Sequence, residues 1–312
     1  RQVAFAPNTH EFVVRLYSCL DWSKPVRVLS SAHEFYSFRR QTRRLQETGR
    51  VELTEIPAEP WDTFEARFAE AAAGGDWDLV FLSQVFFDSG FVVRDLERIV
   101  RAVPARALVA IDGYHAFCAI PVDFSALAGR AFYLAGGYKY AMSGEGACFL
   151  AVPPDCALRP VDTGWYASFE TLSSAPGSQV PYADDAFRFW GATFDPSGLY
   201  RFGASMGMLQ EQGIAVEHIH AHAAALQERF LASLAKANLP SLPAATLVPP
   251  AGRPRGNFLA FDIDGAEYAH QRLDAAGIYI DRRARRLRFG FGVYHEAADV
   301  DRLVEAMTGA LG

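Results

Sequence analysis

Lysine is nearly absent from this chain. Its 312 residues include only Lys24, Lys139 and Lys236, and arginine supplies the rest of the positive charge. Lys24 sits in a polar turn, Asp21–Pro25, and Lys236 near a helix end, so both are expected in water. Lys139 differs. It follows the apolar run Ala131–Ala135, stands between Tyr138 and Tyr140, and has glycines on both sides, at Gly136-Gly137 and Gly144-x-Gly146. An amine desolvated in such surroundings has a lowered pKa and serves as nucleophile or base. The alternative is a lysine that snorkels from a strand end.

Other absences narrow the function classes. No apolar run has the length of a transmembrane helix, and no signal peptide is visible. The cysteines Cys19, Cys118, Cys148 and Cys156 show neither metal-ligand spacing nor a dense disulfide framework, so a reducing cytoplasm is expected. A net charge of −6 gives no reason to expect nucleic acid or an anionic membrane as partner. The glycines near Lys139 have the wrong spacing for a dinucleotide fingerprint, and no Gly-x-Ser-x-Gly elbow occurs. His218, His220 and His222 lack a further ligand that would complete a metal site, so no metal is expected. There are no repeats and no low-complexity segments.

What is present reads as an α/β protein. Strands are expected at Val3–Ala6, Val26–Ser30, Val51–Ile56, Asp78–Ser83, Ala107–Ile111, Ala131–Ala135 and Ala147–Val152. Helices are expected after Asn8, over Arg39–Gln46, Trp61–Ala73 and Val92–Arg101, and later over Leu199–Gln212 and Ala215–Lys236. Asn8 is a good N-cap, and Glu11 stands three residues on, as in a capping box. Alternation of this kind indicates a mainly parallel sheet flanked by helices. After a Pro- and Ala-rich stretch, Pro240–Arg255, a β-α-β-β-α order suggests a small C-terminal α+β domain, with strands at Asn257–Asp262, Ile278–Asp281 and Leu287–Phe291. Residues 1–212 are assigned to a large α/β domain, and residues 213–312 to the small domain with its connecting helix. Ligands of parallel sheets bind beyond the carboxyl ends of the strands, and Thr9, Asp112 and Lys139 each follow or end a strand.

Asp112 closes the apolar strand that precedes Asp112-Gly113-Tyr114-His115, and Lys139 comes after the next strand. A carboxylate and a lysine so arranged answer the needs of an aldehyde cofactor with a pyridine ring. The carboxylate keeps the ring nitrogen protonated, and the lysine forms an imine and later moves protons at the substrate's α-carbon. A helix cap is the alternative role for Asp112.

Asp112-x-x-His115, Gly137-Tyr138-Lys139-Tyr140 and Gly144-x-Gly146 together resemble the class V aminotransferase family of fold-type-I pyridoxal-phosphate (PLP) enzymes. The Tyr-Lys-Tyr triplet is most similar to that of kynureninases. The resemblance implies a PLP cofactor with Lys139 as Schiff-base lysine, Asp112 on the pyridine nitrogen and His115 in support. It further implies that the Tyr138 hydroxyl, the Asn8-Thr9 helix start, Trp165 of Gly164-Trp165-Tyr166 and Thr193 of Phe189-x-Gly191-Ala192-Thr193 reach the cofactor phosphate. Phe35 would stack on the ring, unless it is a core residue, and Gln84 would approach the ring hydroxyl. Arg288 would bind the substrate's α-carboxylate, with Arg282, Arg283, Arg285 and Arg286 beside it.

The Trp165 and Thr193 segments usually reach a neighbouring subunit in this family, so a homodimer is implied. The family's segment before the phosphate-binding helix is expected to be missing here. A cysteine-desulfurase reaction is disfavoured, because it needs a mobile cysteine near the carboxylate-binding arginine and no cysteine follows Cys156. The expected activity is a kynureninase-like hydrolase acting on an amino acid, with class V aminotransferase or a catalytically silent PLP-binding or regulatory protein as alternatives.

Overall fold

The computed structural model describes residues 2–173 and 177–312. The chain divides into two compact units. The first comprises residues 1–84, 93–117 and 122–209, and the second residues 85–92, 118–121 and 210–312.

The first unit is laid down as β1 (Val3–Ala6), α1 (Thr9–Ser18), β2 (Val26–Ser31), α2 (Tyr36–Glu47), β3 (Val51–Ile56), α3 (Phe64–Gly74), β4 (Leu79–Ser83), α4 (Leu96–Ala102), β5 (Leu108–Asp112), β6 (Phe132–Gly136), β7 (Cys148–Ala151) and all but the last two residues of α5 (Ser197–Glu211). The strands form one sheet in the order β1-β7-β6-β5-β4-β2-β3. β6, β5, β4, β2 and β3 pair in parallel, while β7 runs antiparallel to both β6 and β1. Six strands therefore point one way and only β7 is reversed. This is the mainly parallel α/β sheet expected from the sequence. β4, β5 and β6 are buried at every position, which explains their unbroken apolar runs: helices cover both faces of such a sheet. In α2 only Phe38 and Thr42 are buried, one turn apart, and the arginines face water.

The shared polarity places the carboxyl ends of β1, β2, β4, β5 and β6 on one edge of the sheet, together with the start of β7. The core of this unit includes Phe12, Phe38, Phe81, Ala110, Leu134 and Cys148.

The second unit contains α6 (Val216–Ala237), β8 (Leu247–Val248), β9 (Phe258–Asp262), α7 (Ala266–Ala275), β10 (Asp281–Arg283), β11 (Arg286–Gly290) and α8 (Ala297–Leu311). Its antiparallel sheet has the order β10-β11-β9-β8. Phe230, Phe261, Phe289 and Met307 form the middle of its core.

Two sequence expectations shift. The helix expected from Val92 starts at Leu96, because Val92 pairs with Val85 in a short hairpin and Asp95 caps the helix by accepting the Arg98 N–H at 3.1 Å. The strand expected over Ile278–Asp281 lies at Asp281–Arg283. The Ile278 N–H is still engaged at the end of α7, where it donates to the Leu273 carbonyl at 2.9 Å.

Candidate cofactor site

Asp112 is the last residue of β5 and is 6% exposed. One carboxyl oxygen accepts the Tyr114 N–H at 2.9 Å. Burial pushes its pKa up to about 6, against the pull of that hydrogen bond and of the Lys139 charge. Lys139 follows β6, the strand that pairs with β5. The two groups therefore sense one another across adjacent strand ends. Lys139 is half-buried rather than enclosed. Its amine lies 5.9 Å from the centre of the Phe35 ring and 5.8 Å from that of Tyr138.

The loop carrying Lys139 is closed on itself. Gly137 N–H donates to the Ala147 carbonyl at 2.9 Å, Ser143 N–H to the Gly137 carbonyl at 2.9 Å, and Met142 N–H to the Lys139 carbonyl at 3.0 Å. The turn requires positive φ at Gly144 (+74°) and Gly146 (+93°), which explains the glycine pair at that spacing. Arg201, from α5, holds the loop from outside, donating to the carbonyls of Ser143 (3.1 Å) and Glu145 (2.6 Å).

Several other expected residues gather at the same edge. Gln84 directly follows β4, and its N–H donates to the Asp112 carbonyl at 2.8 Å. Its side chain is buried and accepts from the Tyr133 hydroxyl at 3.1 Å. His115 is buried three residues after Asp112. Phe35 is the N-cap residue of α2 and faces Lys139. Asn8 caps α1, accepting the Glu11 N–H at 3.2 Å, whereas the Glu11 carboxylate turns to Arg15 instead of closing a capping box. Thr9 is buried beside the Cys148 thiol at 3.7 Å. Tyr138 is 51% exposed.

Trp165 and Thr193 stand apart from this group. Both are exposed, and their segments meet each other where the Tyr166 N–H donates to the Gly191 carbonyl at 3.2 Å. A Cβ at Gly164 would lie 2.3 Å from the Gly191 carbonyl carbon, so the pairing needs glycine at 164. Arg288 belongs to the second unit. Its guanidinium is held by the Asp281 carboxylate (Nε to Oδ2, 2.6 Å) and by the Phe87 carbonyl. The neighbouring arginines are paired as well, Arg283 with the same Asp281 that holds Arg288. Arg286 pairs with Asp88 and Asp262, and Arg285 with Asp262 and Asp264.

The four thiols are unactivated. Burial pushes Cys19 and Cys148 up to about 12 and Cys118 up to about 11, and it also raises Cys156. A cysteine that carries sulfur needs the opposite shift.

Glu34, Tyr114, Ser143 and Arg201 were not legible as part of this edge. Glu34 stands in a polar-looking run, Ser30–Ser37, and only the closure of β2 against β4 buries it. Arg201 lies far along the chain from the loop it holds, and no local pattern marks it.

Comparisons with known proteins concern the family and the fold. The sequence is 25% identical over 284 residues to a cysteine desulfurase of Yersinia pseudotuberculosis serotype O:1b (strain IP 31758), an alignment covering 84% of this chain. The match spans 62% of that enzyme's length. The apo structure of a cysteine desulfurase from Thermococcus onnurineus NA1 superposes with a TM-score of 0.81 at 15% identity, covering 99% of this chain and 79% of that one. The cystine C–S lyase C-DES, in complex with its product cysteine persulfide, gives 0.81 at 19% identity, covering 100% and 82%. A variant of C-DES with glycine covalently linked to its PLP cofactor gives 0.82 at 20% identity, covering 98% and 80%. The profile of the family "Aminotransferase class-V" matches residues 9–303, nearly the whole chain, and the chain belongs to the class V aminotransferase family.

Proposed function

We propose that this chain is a PLP-dependent enzyme acting on an amino acid, with Lys139 bonded to the cofactor and Asp112 on its ring nitrogen. The observation that carries the reading is the coupling of Lys139 to a buried Asp112 at the ends of adjacent parallel strands. The residues suit the group. A buried carboxyl pushed up to about 6 gains a natural counter-charge in a protonated ring nitrogen. Ser143 Oγ, in the loop that carries Lys139, is buried with no hydrogen-bond partner. The start of α1, with Asn8 and Thr9, offers backbone N–H groups to a phosphate.

Bound at this edge, PLP supplies an aldehyde carbon for the amine and a pyridinium ring that accepts electrons from the substrate's α-carbon. Lys139 Nζ would hold the cofactor through its aldehyde carbon and, once released, would serve as the base for the α-proton. Asp112 would keep the ring nitrogen protonated. Phe35 would stack on the ring, and Gln84 and His115 would help to hold it. Arg288 binds a carboxylate through its planar fork, in competition with Asp281.

The bond broken after α-proton removal decides the activity. A kynureninase-like hydrolase is favoured by Tyr138-Lys139-Tyr140, Gly164-Trp165 and the Arg288–Tyr294 stretch. Cleavage of a carbon–sulfur bond is the second reading, supported by the cysteine desulfurase and C–S lyase relatives. In that reading sulfur leaves with the product, because none of the chain's thiols is activated to receive it. Family membership also leaves transamination open to assay.

Borohydride reduction of PLP-treated protein, followed by peptide mass mapping, tests the core of the reading. The expected result is a reduced adduct on the Lys139 peptide, absent from Lys139→Ala. Wild-type protein without that adduct would sink the proposal. Incubation with kynurenine, with cystine, and with amino acids plus keto acids then distinguishes the reactions by product. Turnover of none of them identifies a silent PLP-binding protein.

A further inference from the structure

Glu34 is a buried carboxyl with no part in the chemistry above. It is 1% exposed and lies one residue before Phe35. Three donors converge on it: Ser31 Oγ at 2.5 Å, Ser83 Oγ at 2.5 Å and the Ser83 N–H at 3.2 Å. Their places in the sheet are informative. The β2–β4 ladder runs from Val28↔Leu79 to Ser30↔Phe81 and stops there. Ser31 and Ser83 are the last residues of the two strands. Glu34 therefore joins β2 to β4 where the backbone ladder has ended. Ser83 is also the residue opposite Asp112 in the β4–β5 ladder, and Gln84 follows it.

We propose that Glu34 is a positioning residue of the cofactor site: its carboxyl clamps the ends of β2 and β4, and so fixes Phe35 against Lys139 and Gln84 against Asp112. This rests on the PLP reading for its purpose, though not for its geometry. The two held residues are those whose distances define the edge. Phe35 has its ring centre 5.9 Å from the Lys139 amine, and the Gln84 N–H lies 2.8 Å from the Asp112 carbonyl.

The clamp works as a neutral acid. Burial pushes Glu34 up to about 8, outweighing its three donors, and the nearby Asp112 carboxylate pushes the same way. With Glu34 protonated, one serine hydroxyl turns to accept its proton. Ser31 Oγ already accepts the His33 N–H at 3.1 Å, so it is held on both sides. The charged group acting on Glu34 is Asp112 of β5, whose own partner in charge is Lys139. The neighbouring His33 turns away to the Trp61 ring, with centroids 6.3 Å apart. A neutral Glu34 leaves Asp112 as the negative charge available to a ring nitrogen.

Two variants and two readouts test this. Glutamine reproduces the neutral acid, donating to one serine and accepting from Ser83, whereas alanine strands the Ser83 donors in the core. At pH 7, Glu34→Gln is expected to bind PLP within about threefold of wild type, and Glu34→Ala about tenfold more weakly or worse. Between pH 7 and pH 9, wild type should lose about tenfold in PLP affinity relative to Glu34→Gln, because one unit above its pKa about a tenth of Glu34 keeps its proton. The second readout needs no cofactor. The Glu34 pKa is raised from 4.5 unfolded to about 8 folded, so its stabilisation is complete below 4.5 and is lost as pH rises to 8. Wild-type Tm should fall over that window relative to Glu34→Gln. Glu34→Ala binding like wild type, or Glu34→Gln as weak as Glu34→Ala, overturns the clamp. If Glu34→Ala does not fold, the pH dependence of wild type against Glu34→Gln decides. Wild type that captures no PLP overturns the cofactor reading instead, and the Tm comparison then judges Glu34 alone, with parallel Tm curves counting against it.

Discussion

At the scale of single residues, the proposed site would depend on keeping a carboxylate charged where burial opposes charge. Asp112 is raised from 3.8 to about 6, so in the cofactor-free protein the folded state holds a proton that the unfolded state gives up. The sign follows: its contribution is complete below 3.8 and is lost as pH rises through 6. Asp112→Asn should therefore show a flatter Tm between pH 4 and pH 6 than wild type. The same variant should still form the borohydride-trapped adduct at Lys139, while turnover falls by about a hundredfold or more for want of the ring proton. An Asp112→Asn protein with unchanged kcat would remove Asp112 from the mechanism. Lys139 and Asp112 were legible in the sequence for different reasons. Lys139 was isolated by the scarcity of its residue type, and Asp112 by ending a continuous apolar run. Glu34 had neither mark. Its burial arises from tertiary pairing of β2 with β4, and a glutamate in a polar run reads as solvated until that pairing is known.

At the scale of elements, the loop after β6 and the start of α1 carry the predictions. A Cβ on Gly137 would lie 1.8 Å from Ser143 Oγ and 3.0 Å from the Phe202 ring. Ser143 has little room to yield, since its N–H is bonded to Gly137 and its carbonyl to Arg201. Gly137→Ala should cost about 1–3 kcal/mol by overpacking. Adding Ser143→Gly should recover much of the lost Tm, and a double variant no more stable than Gly137→Ala would show that the clash is not the cause. Asn8→Ala removes the cap of α1, at about 1 kcal/mol of stability, and should also weaken PLP capture if the helix start holds the phosphate. Calorimetry and absorbance titration of one preparation read both. Most elements were legible at this scale, because parallel strands buried on both faces write themselves as apolar runs. The hairpin over Val85–Val92 was not, for its partners Arg255 and Phe258 lie far along the chain. The two-residue β8 is too short to leave a periodic signal.

At the scale of the molecule, α5 carries the feature on which the homodimer implied by the family resemblance can be tested. Among its 15 residues only Gly198 and Leu209 are buried. Tyr200, Ala204 and Met208 follow one another at four-residue steps and all are exposed, Tyr200 at 79% and Met208 at 52%. Such spacing puts them on one helix face, and an apolar stripe left in water is a feature that a partner would cover. Trp165 and Phe169 add exposed aromatic surface in the segment whose family counterparts reach a neighbouring subunit. If a second copy covers the stripe, light scattering should return twice the mass of one chain. Tyr200→Asp with Met208→Asp should then shift the protein toward monomer, with a loss of about 3 kcal/mol or more, roughly a hundredfold in dimer affinity. Neither residue is among those proposed to hold PLP. A monomeric double variant that still forms the Lys139 adduct would show that the adduct does not need a second copy. Wild-type protein that stays monomeric at all concentrations would leave α5 without its partner, and would remove the homodimer from the account.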